Sequence, residues 1–282
     1  MCHDPAGASF ALNDPSPGVP DAAEVQSMRC CLTRLVLTSL VLSSAALPAA
    51  AQNNPNPIGR SAPDFLLSKP NGSVTVRGSW LFSRHQSDWY DFVTDQLTLE
   101  SKDFNAPGFG LDGNVPLNSH LDAQFSFDIS RSKTLSEYRR FVDNRNLPIE
   151  QTTTLRQINL GANLRYSFAE RGRALSQFAW IPTKVVPFVG GGAGAMHYTL
   201  EQIGDFVDFV DFSVFGDRFE SHGWTPSAQA FGGVDVRVFK RVYATMDARY
   251  LWADAELGLD WVGFEPIDLT GFRLSGGVNV IF

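Results

Sequence analysis

Cysteine is nearly absent. The chain has three in 282 residues, Cys2, Cys30 and Cys31, all within its first 31. The remainder therefore has no disulfide framework, thiolate metal site or cysteine nucleophile. Long hydrophobic runs are also missing. Beyond Leu47 nothing approaches the ~18 consecutive apolar residues of a membrane-spanning helix. Positive charge is in deficit, with 23 Lys and Arg against 30 Asp and Glu and a net charge of −7. That balance argues against nucleic-acid binding. A phosphate-cradling glycine loop is absent too, because Gly190–Gly194 sits in a strand pattern rather than ahead of a helix.

The N-terminal part is organised differently from the rest. From Met28 it reads Met-Arg-Cys-Cys-Leu-Thr-Arg, then an apolar run from Leu35 to Leu47, then Pro48-Ala-Ala-Ala51. A basic start, a short apolar core and small residues at a cleavage site are the parts of a secretory signal peptide. The core is well short of the ~20 residues that span a bilayer. Residues 28–51 are thus expected to be a signal peptide cut after Ala51, and residues 1–27 an artefactual leader ahead of a true start at Met28. Neither Cys30 nor Cys31 follows the apolar core, which excludes a lipoprotein. Without Arg29, Arg34, Asp4, Asp14, Asp21 and Glu24, the mature chain keeps a net charge near −5. Residues 52–72, rich in Asn, Pro and Ser, read as a flexible tail.

From residue 73 the dominant signal is alternation. Segments of period two recur eight times: 74–84, 104–115, 121–130, 157–168, 185–198, 228–238, 242–252 and 272–282. The fourth is the clearest, with Ile158, Leu160, Ala162, Leu164, Tyr166 and Phe168 against Gln157, Asn159, Gly161, Asn163, Arg165 and Ser167. One such segment fits a half-buried strand of a soluble sandwich. Eight in series, with small residues, Arg and Asp on the polar face and aromatics near strand ends, fit a barrel wall between lipid and a polar lumen. The last segment ends on Val278, Val280 and Phe282, an unprotected edge that a soluble protein avoids.

Connection lengths agree. Residues 116–119 and 240–241 are short, whereas 85–103, 132–153, 199–224 and 256–267 are long, as periplasmic turns and outer loops should be. The turn 169–184 is long for its side, so ten strands, with two more in the first or third outer loop, is the alternative count. The fold expected for 73–282 is all-β, an eight-stranded antiparallel up-and-down transmembrane barrel in the bacterial outer membrane.

The signal segment, the eight strands, the Pro187-Phe-Val-Gly-Gly-Gly-Ala-Gly194 strand and the terminal Val-Asn-Val-Ile-Phe282 together resemble the small bacterial outer-membrane barrel family of OmpA/OmpX and opacity proteins. The resemblance covers about 74–282. It implies a periplasmic location for both termini, no cofactor, and a role for Val278, Val280 and Phe282 as the signal read by the barrel assembly machinery. It leaves activity open, since the family includes adhesins, structural anchors, weak channels and a few enzymes.

Two groups of residues are candidates for function. By parity Arg77, Arg165, Arg237, Arg249 and Arg273 face the lumen with Asp112, Asp122, Asp128, Asp235 and Asp247. Five charges of each sign suggest a neutralised ion-pair plug rather than a pore. The outer loops carry acidic-aromatic clusters: Asp88, Trp89, Tyr90 and Asp91; Asp205, Phe206, Asp208, Phe209, Asp211 and Phe212; and Trp261. They are expected either to extend the wall as hairpins or to form a ligand surface. Lipopolysaccharide phosphates are expected partners for loop cations such as Arg131, Lys133, Arg139, Arg140 and Arg145.

No catalytic, cofactor or metal residue is assigned. His85-Gln-Ser87 resembles the His-x-Ser of lipid A deacylases but lies too early in the chain. A protease around His222 would need ten strands and a groove. The expected role is a non-enzymatic structural or adhesive envelope protein. The alternative is a small porin-like channel; an enzyme acting on lipid or peptide ranks last.

Overall fold

The computed structural model describes residues 65–282 except 177 and 178. The expected leader 1–27, the expected signal peptide 28–51 and residues 52–64 of the expected tail lie outside the described residues. Eight strands close a ring: β1 (Ser73–Ser83), β2 (Ala106–Pro116), β3 (Leu121–Val142), β4 (Pro148–Ser167), β7 (Val185–Val207), β8 (Val214–Arg237), β9 (Val242–Trp252) and β12 (Gly271–Ile281). Every neighbouring pair is antiparallel, and β12 closes on β1 with Val278 opposite Val76. The remaining strands stand outside the ring. β5 (Gly172–Ser176) pairs with β6 (Ala179–Pro182), and β10 (Asp254–Ala255) with β11 (Ile267–Asp268). The ring therefore has eight strands, and the ten-strand alternative is set aside.

The alternation sets the two faces as expected. Val74, Val76, Trp80, Phe109, Leu111, Phe125, Leu164, Val189, Met246 and Leu274 point outward and are exposed. Their inward neighbours Thr75, Arg77, Asp112, Gln124, Asn163 and Arg165 are buried. A wall with an apolar exterior and a polar interior, closed so that no backbone edge is unpaired, is the β-structure that hydrocarbon permits.

Of the two expectations for the outer loops, extension of the wall as hairpins describes 199–224, and 132–153 behaves likewise. Strands β1, β2, β9 and β12 have 11 residues each, about what a bilayer requires. Strands β3, β4, β7 and β8 have 22, 20, 23 and 24. Most of 132–153 and 199–224 is thus strand, and only 143–147 and 208–213 remain as tips. These hairpins rise roughly 30 Å along the strand direction past their shorter neighbours. The first outer loop is instead a helix, α1 (Asp88–Gln96), followed by a 3-10 turn, Ser101–Phe104. Trp89, Tyr90 and Val93 share one face at helical spacing, and Asp88 and Asp91 lie in the first turn, where the helix dipole favours them.

At the opposite end, Leu66 and Trp180 exchange backbone hydrogen bonds of 2.7 and 2.9 Å. The Asn71 amide donates to the Phe282 carbonyl. The last residues of the N-terminal tail are therefore tied to β6 and β12.

Candidate functional site: the barrel lumen and the outer crown

The lumen is layered. At mid-height Arg77 of β1 donates through Nη2 to Asp112 Oδ1 and to Asp128 Oδ2, each at 3.0 Å. Arg273 reaches Asp128 at 2.9 Å, and Arg249 reaches it at 3.4 Å. Asp247 lies 3.7 Å from both Arg77 and Arg249. All six side chains are almost wholly buried, so three guanidinium groups neutralise three carboxylates out of contact with water. Gly110 makes room for them: a Cβ there would lie 2.8 Å from Arg77 Nε and from Asp128 Oδ1.

Toward the chain-terminal end comes an amide layer. Gln229 donates to Ser126 Oγ at 2.9 Å and to the Asn163 side-chain oxygen at 2.8 Å. Beyond it Arg165 pairs with Asp235 and lies over the ring of Phe188 at 3.7 Å. Thr245 donates to the other oxygen of Asp235 at 2.7 Å.

One expectation is corrected in its partner. Asp122 does face inward, but its guanidinium comes from Arg171, in the turn after β4, not from a wall arginine. Arg237 is the last residue of β8 and only half-buried at the rim. Four of the five expected arginines, Arg77, Arg165, Arg249 and Arg273, are buried with all five expected aspartates, and the half-buried Arg171 supplies the guanidinium for Asp122. Nothing in the alternation could place Arg171, because it belongs to a turn.

At the outer end the lumen becomes apolar. Leu155, Met196, Tyr198, Leu200 and Leu251 face inward and are buried against Trp89, Tyr90 and Val93 of α1, with Phe104, Trp261, Ile267 and Leu269. The aromatic contacts run from Phe206 to Phe219 (4.5 Å), to Trp261 (5.9 Å), to Trp89 (5.8 Å) and on to Phe104 (5.8 Å). Polar ties hold the cap. Tyr90 Oη donates to the Asp268 carbonyl at 3.0 Å, the Glu265 amide donates to Asp88 at 3.1 Å, and Arg139 Nη2 donates to the Leu99 carbonyl at 3.2 Å. Burial drives the Tyr90 hydroxyl pKa well above its usual range and lowers that of His85, which sits edge-on to Tyr90 at 5.2 Å. Nearby Asp268 opposes the His85 shift without cancelling it.

The acidic-aromatic residues therefore divide. Trp89, Tyr90, Phe206 and Trp261 are buried in this cap and unavailable as a ligand surface. Their apolar bodies have a better use, since above the bilayer water surrounds the wall and the hairpins need a core of their own. Asp208 and Asp211 accept the amides of Val210 at 2.7 Å and Ser213 at 2.9 Å, shaping the tip of the β7–β8 hairpin. The Ser213 bonds hold the Asp211 carboxyl below its usual pKa. Asp91 and Asp205 are exposed, and Asp88 is held by Glu265.

Phe209, Val210 and Phe212 stand out from that tip, with Val210 91 % exposed. Phe141 from the β3–β4 hairpin meets Phe209 and Phe212, each at 6.0 Å. A cleft of about 200 Å³ opens beside them, lined by Phe92, Phe209, Phe215, Trp261 and Phe264. Of the loop cations, Arg140 pairs with Asp95 at 3.0 Å and Arg145 with Asp143 at 3.4 Å, so both serve the crown itself.

A closed wall with an apolar belt outside, an ion-paired lumen and tall hairpins at one end defines a transmembrane β-barrel of the bacterial outer membrane. No family model matches the sequence, and no curated protein matches it. Among solved structures, Neisserial surface protein A is similar at 14 % identity and a TM-score of 0.42, over 75 % of this chain and 97 % of that one. Ail, the attachment invasion locus protein of Yersinia pestis, solved with the heparin analogue sucrose octasulfate, is similar at 15 % identity and 0.39, over 75 % and 99 %. The outer membrane protein OprG of Pseudomonas aeruginosa is similar at 10 % and 0.42, over 77 % and 99 %. At those values the barrel's own geometry, rather than the likeness, carries the class.

Proposed function

We propose that the protein is a non-enzymatic, non-conducting outer-membrane barrel whose crown is an adhesive surface for an extracellular ligand with an apolar face. The observation that carries this reading is the exposure of Phe209, Val210 and Phe212 at a height where no lipid covers them. Leu259 and Val262 of the last outer loop are 91 and 79 % exposed. Contiguous apolar surface facing water marks an interaction site. The aromatic-lined cleft beside the tip gives such a ligand somewhere to seat a side group. The ion pairs and the apolar cap support the non-conducting part, because together they fill the lumen from mid-height to the outer mouth.

The test is adhesion by cells displaying the full chain, compared with a Phe209→Ser, Val210→Ser, Phe212→Ser variant. The variant should keep the heat-modifiable gel shift of a folded barrel and lose most attachment to host matrix or to neighbouring cells. A folded variant that attaches as well as the parent would exclude the tip as the working surface.

A further inference from the structure

The outer wall carries a second feature, just above the apolar belt on β3, β4, β7 and β8. Arg131 is paired directly with Arg156 across the β3–β4 ladder, and Lys133 follows on the same face. Like charges directly opposite one another destabilise a sheet. Among the described residues no side chain of these three has a hydrogen-bond or ion-pair partner, and all are exposed. The next strands continue the patch, with Arg156 opposite Thr199, Thr199 opposite His222, and Ile158 opposite His197. Side chains of Arg131, Thr154, Arg156, His197, Thr199 and His222 line a shallow recess of about 360 Å³ on the outside of the barrel. Glu201 and Glu220 border it too, but Arg218 engages both, at 2.6 and 3.0 Å.

Height identifies the occupant. Ile129, Ile158 and Trp224 lie one step below Arg131, Arg156 and His222 on the lipid-facing side, on the rung of His197, and Trp224 is 62 % exposed. Tryptophan there marks the headgroup level of the membrane. A group reaching the recess is therefore carried by a lipid of the outer leaflet, and two opposed guanidinium forks suit a phosphate. Hydroxyls of Thr199 and Thr154 and the ring N–H of His197 can donate to its remaining oxygens, while His222 Nδ1 lies 3.6 Å from Glu220.

We propose that this recess seats a phosphate of a phosphorylated outer-leaflet glycolipid, with Arg131 and Arg156 as its principal ligands and Lys133 at its edge. It rests on the membrane placement of the wall and is independent of what the crown binds.

The experiment uses the refolded full chain in mixed detergent micelles and measures retained lipid per protein. Probes are bisphosphorylated lipid A, the same glycolipid with its phosphates removed, and inorganic phosphate. Phosphorylated lipid A should bind at least about tenfold more tightly than the dephosphorylated form, since each charge-assisted contact is individually strong. Arg131→Gln with Arg156→Gln should remove that preference, whereas Arg140→Gln with Arg145→Gln should leave it intact. Equal binding of the two glycolipids by the parent protein overturns the proposal, whether or not the double variant folds. So does a folded double variant that keeps the preference. Inorganic phosphate competing as well as the lipid would overturn the assignment to a lipid.

Discussion

Asp128 is the carboxylate on which the lumen converges, and replacing it by asparagine removes charge while keeping shape. Its Oδ2 accepts from Arg77 at 3.0 Å and from Arg249 at 3.4 Å, and its Oδ1 lies 2.9 Å from guanidinium nitrogens of Arg77 and Arg273. The side chain is fully buried. Asp128→Asn leaves three guanidinium groups facing two carboxylates, and a buried charge without its partner costs about 3–5 kcal/mol. Adding Arg273→Gln restores the balance, so the double variant should be more stable than Asp128→Asn alone, with a coupling of about 2 kcal/mol. Urea unfolding of protein refolded in micelles, followed by loss of the heat-modifiable band, measures both quantities. If Asp128→Asn stays within ~0.5 kcal/mol of the parent, water is solvating those arginines and the lumen is not dry. A coupling near zero would show that charge balance is not what holds the layer together.

Two further outcomes follow from the geometry. Gly110→Ala should push a methyl into Arg77 and Asp128 and cost about 1–3 kcal/mol by the same unfolding assay, whereas Gly78→Ala, with open space around its Cβ, should be close to neutral. Because burial holds the folded-state pKa of His85 below the ordinary histidine value of about 6.5, the unfolded cap binds the extra proton. The His85 contribution to cap stability is therefore complete above that unfolded value and is lost as pH falls toward the folded one. Protease cleavage within 85–104 should rise as pH drops below about 6.5, and His85→Gln should flatten that rise. A cleavage rate independent of pH in the parent would contradict this.

The barrel was legible in the sequence because lipid imposes a regular demand. Every second residue from Val74 to Phe82, and from Ile158 to Phe168, had to be apolar, and the lumen charges followed by parity. The crown was harder to read because its demand is inverted. In β7 the outward Val185, Pro187 and Val189 are apolar, as are the inward Val186 and Phe188, yet a few positions later only the inward Met196, Tyr198 and Leu200 are, with His197, Thr199 and Glu201 turned outward. That change of face marks where the surroundings turn from hydrocarbon to water. The same reversal in β4 buries Leu155 and turns Arg156 outward.

Taken without this reversal, 199–224 resembles loop, and its aromatics resemble ligand surface. The spacing of Trp89, Tyr90 and Val93 also signalled a helix, but the flanking acidic residues gave it the look of another acidic-aromatic hairpin. Arg171 and the wall recess depended on a turn and on cross-strand register. Neither is encoded in a local period.

Whether the lumen passes ions is the most direct test of a plugged barrel. Refolded protein in a planar bilayer, recorded with salt on both sides, should give a quiet baseline, because ion pairs at mid-height and the apolar cap above them leave no hydrated route. Reproducible single-channel steps that change in size with Asp247→Ala or Arg165→Ala would contradict it, and would make the charged lumen a conduction path.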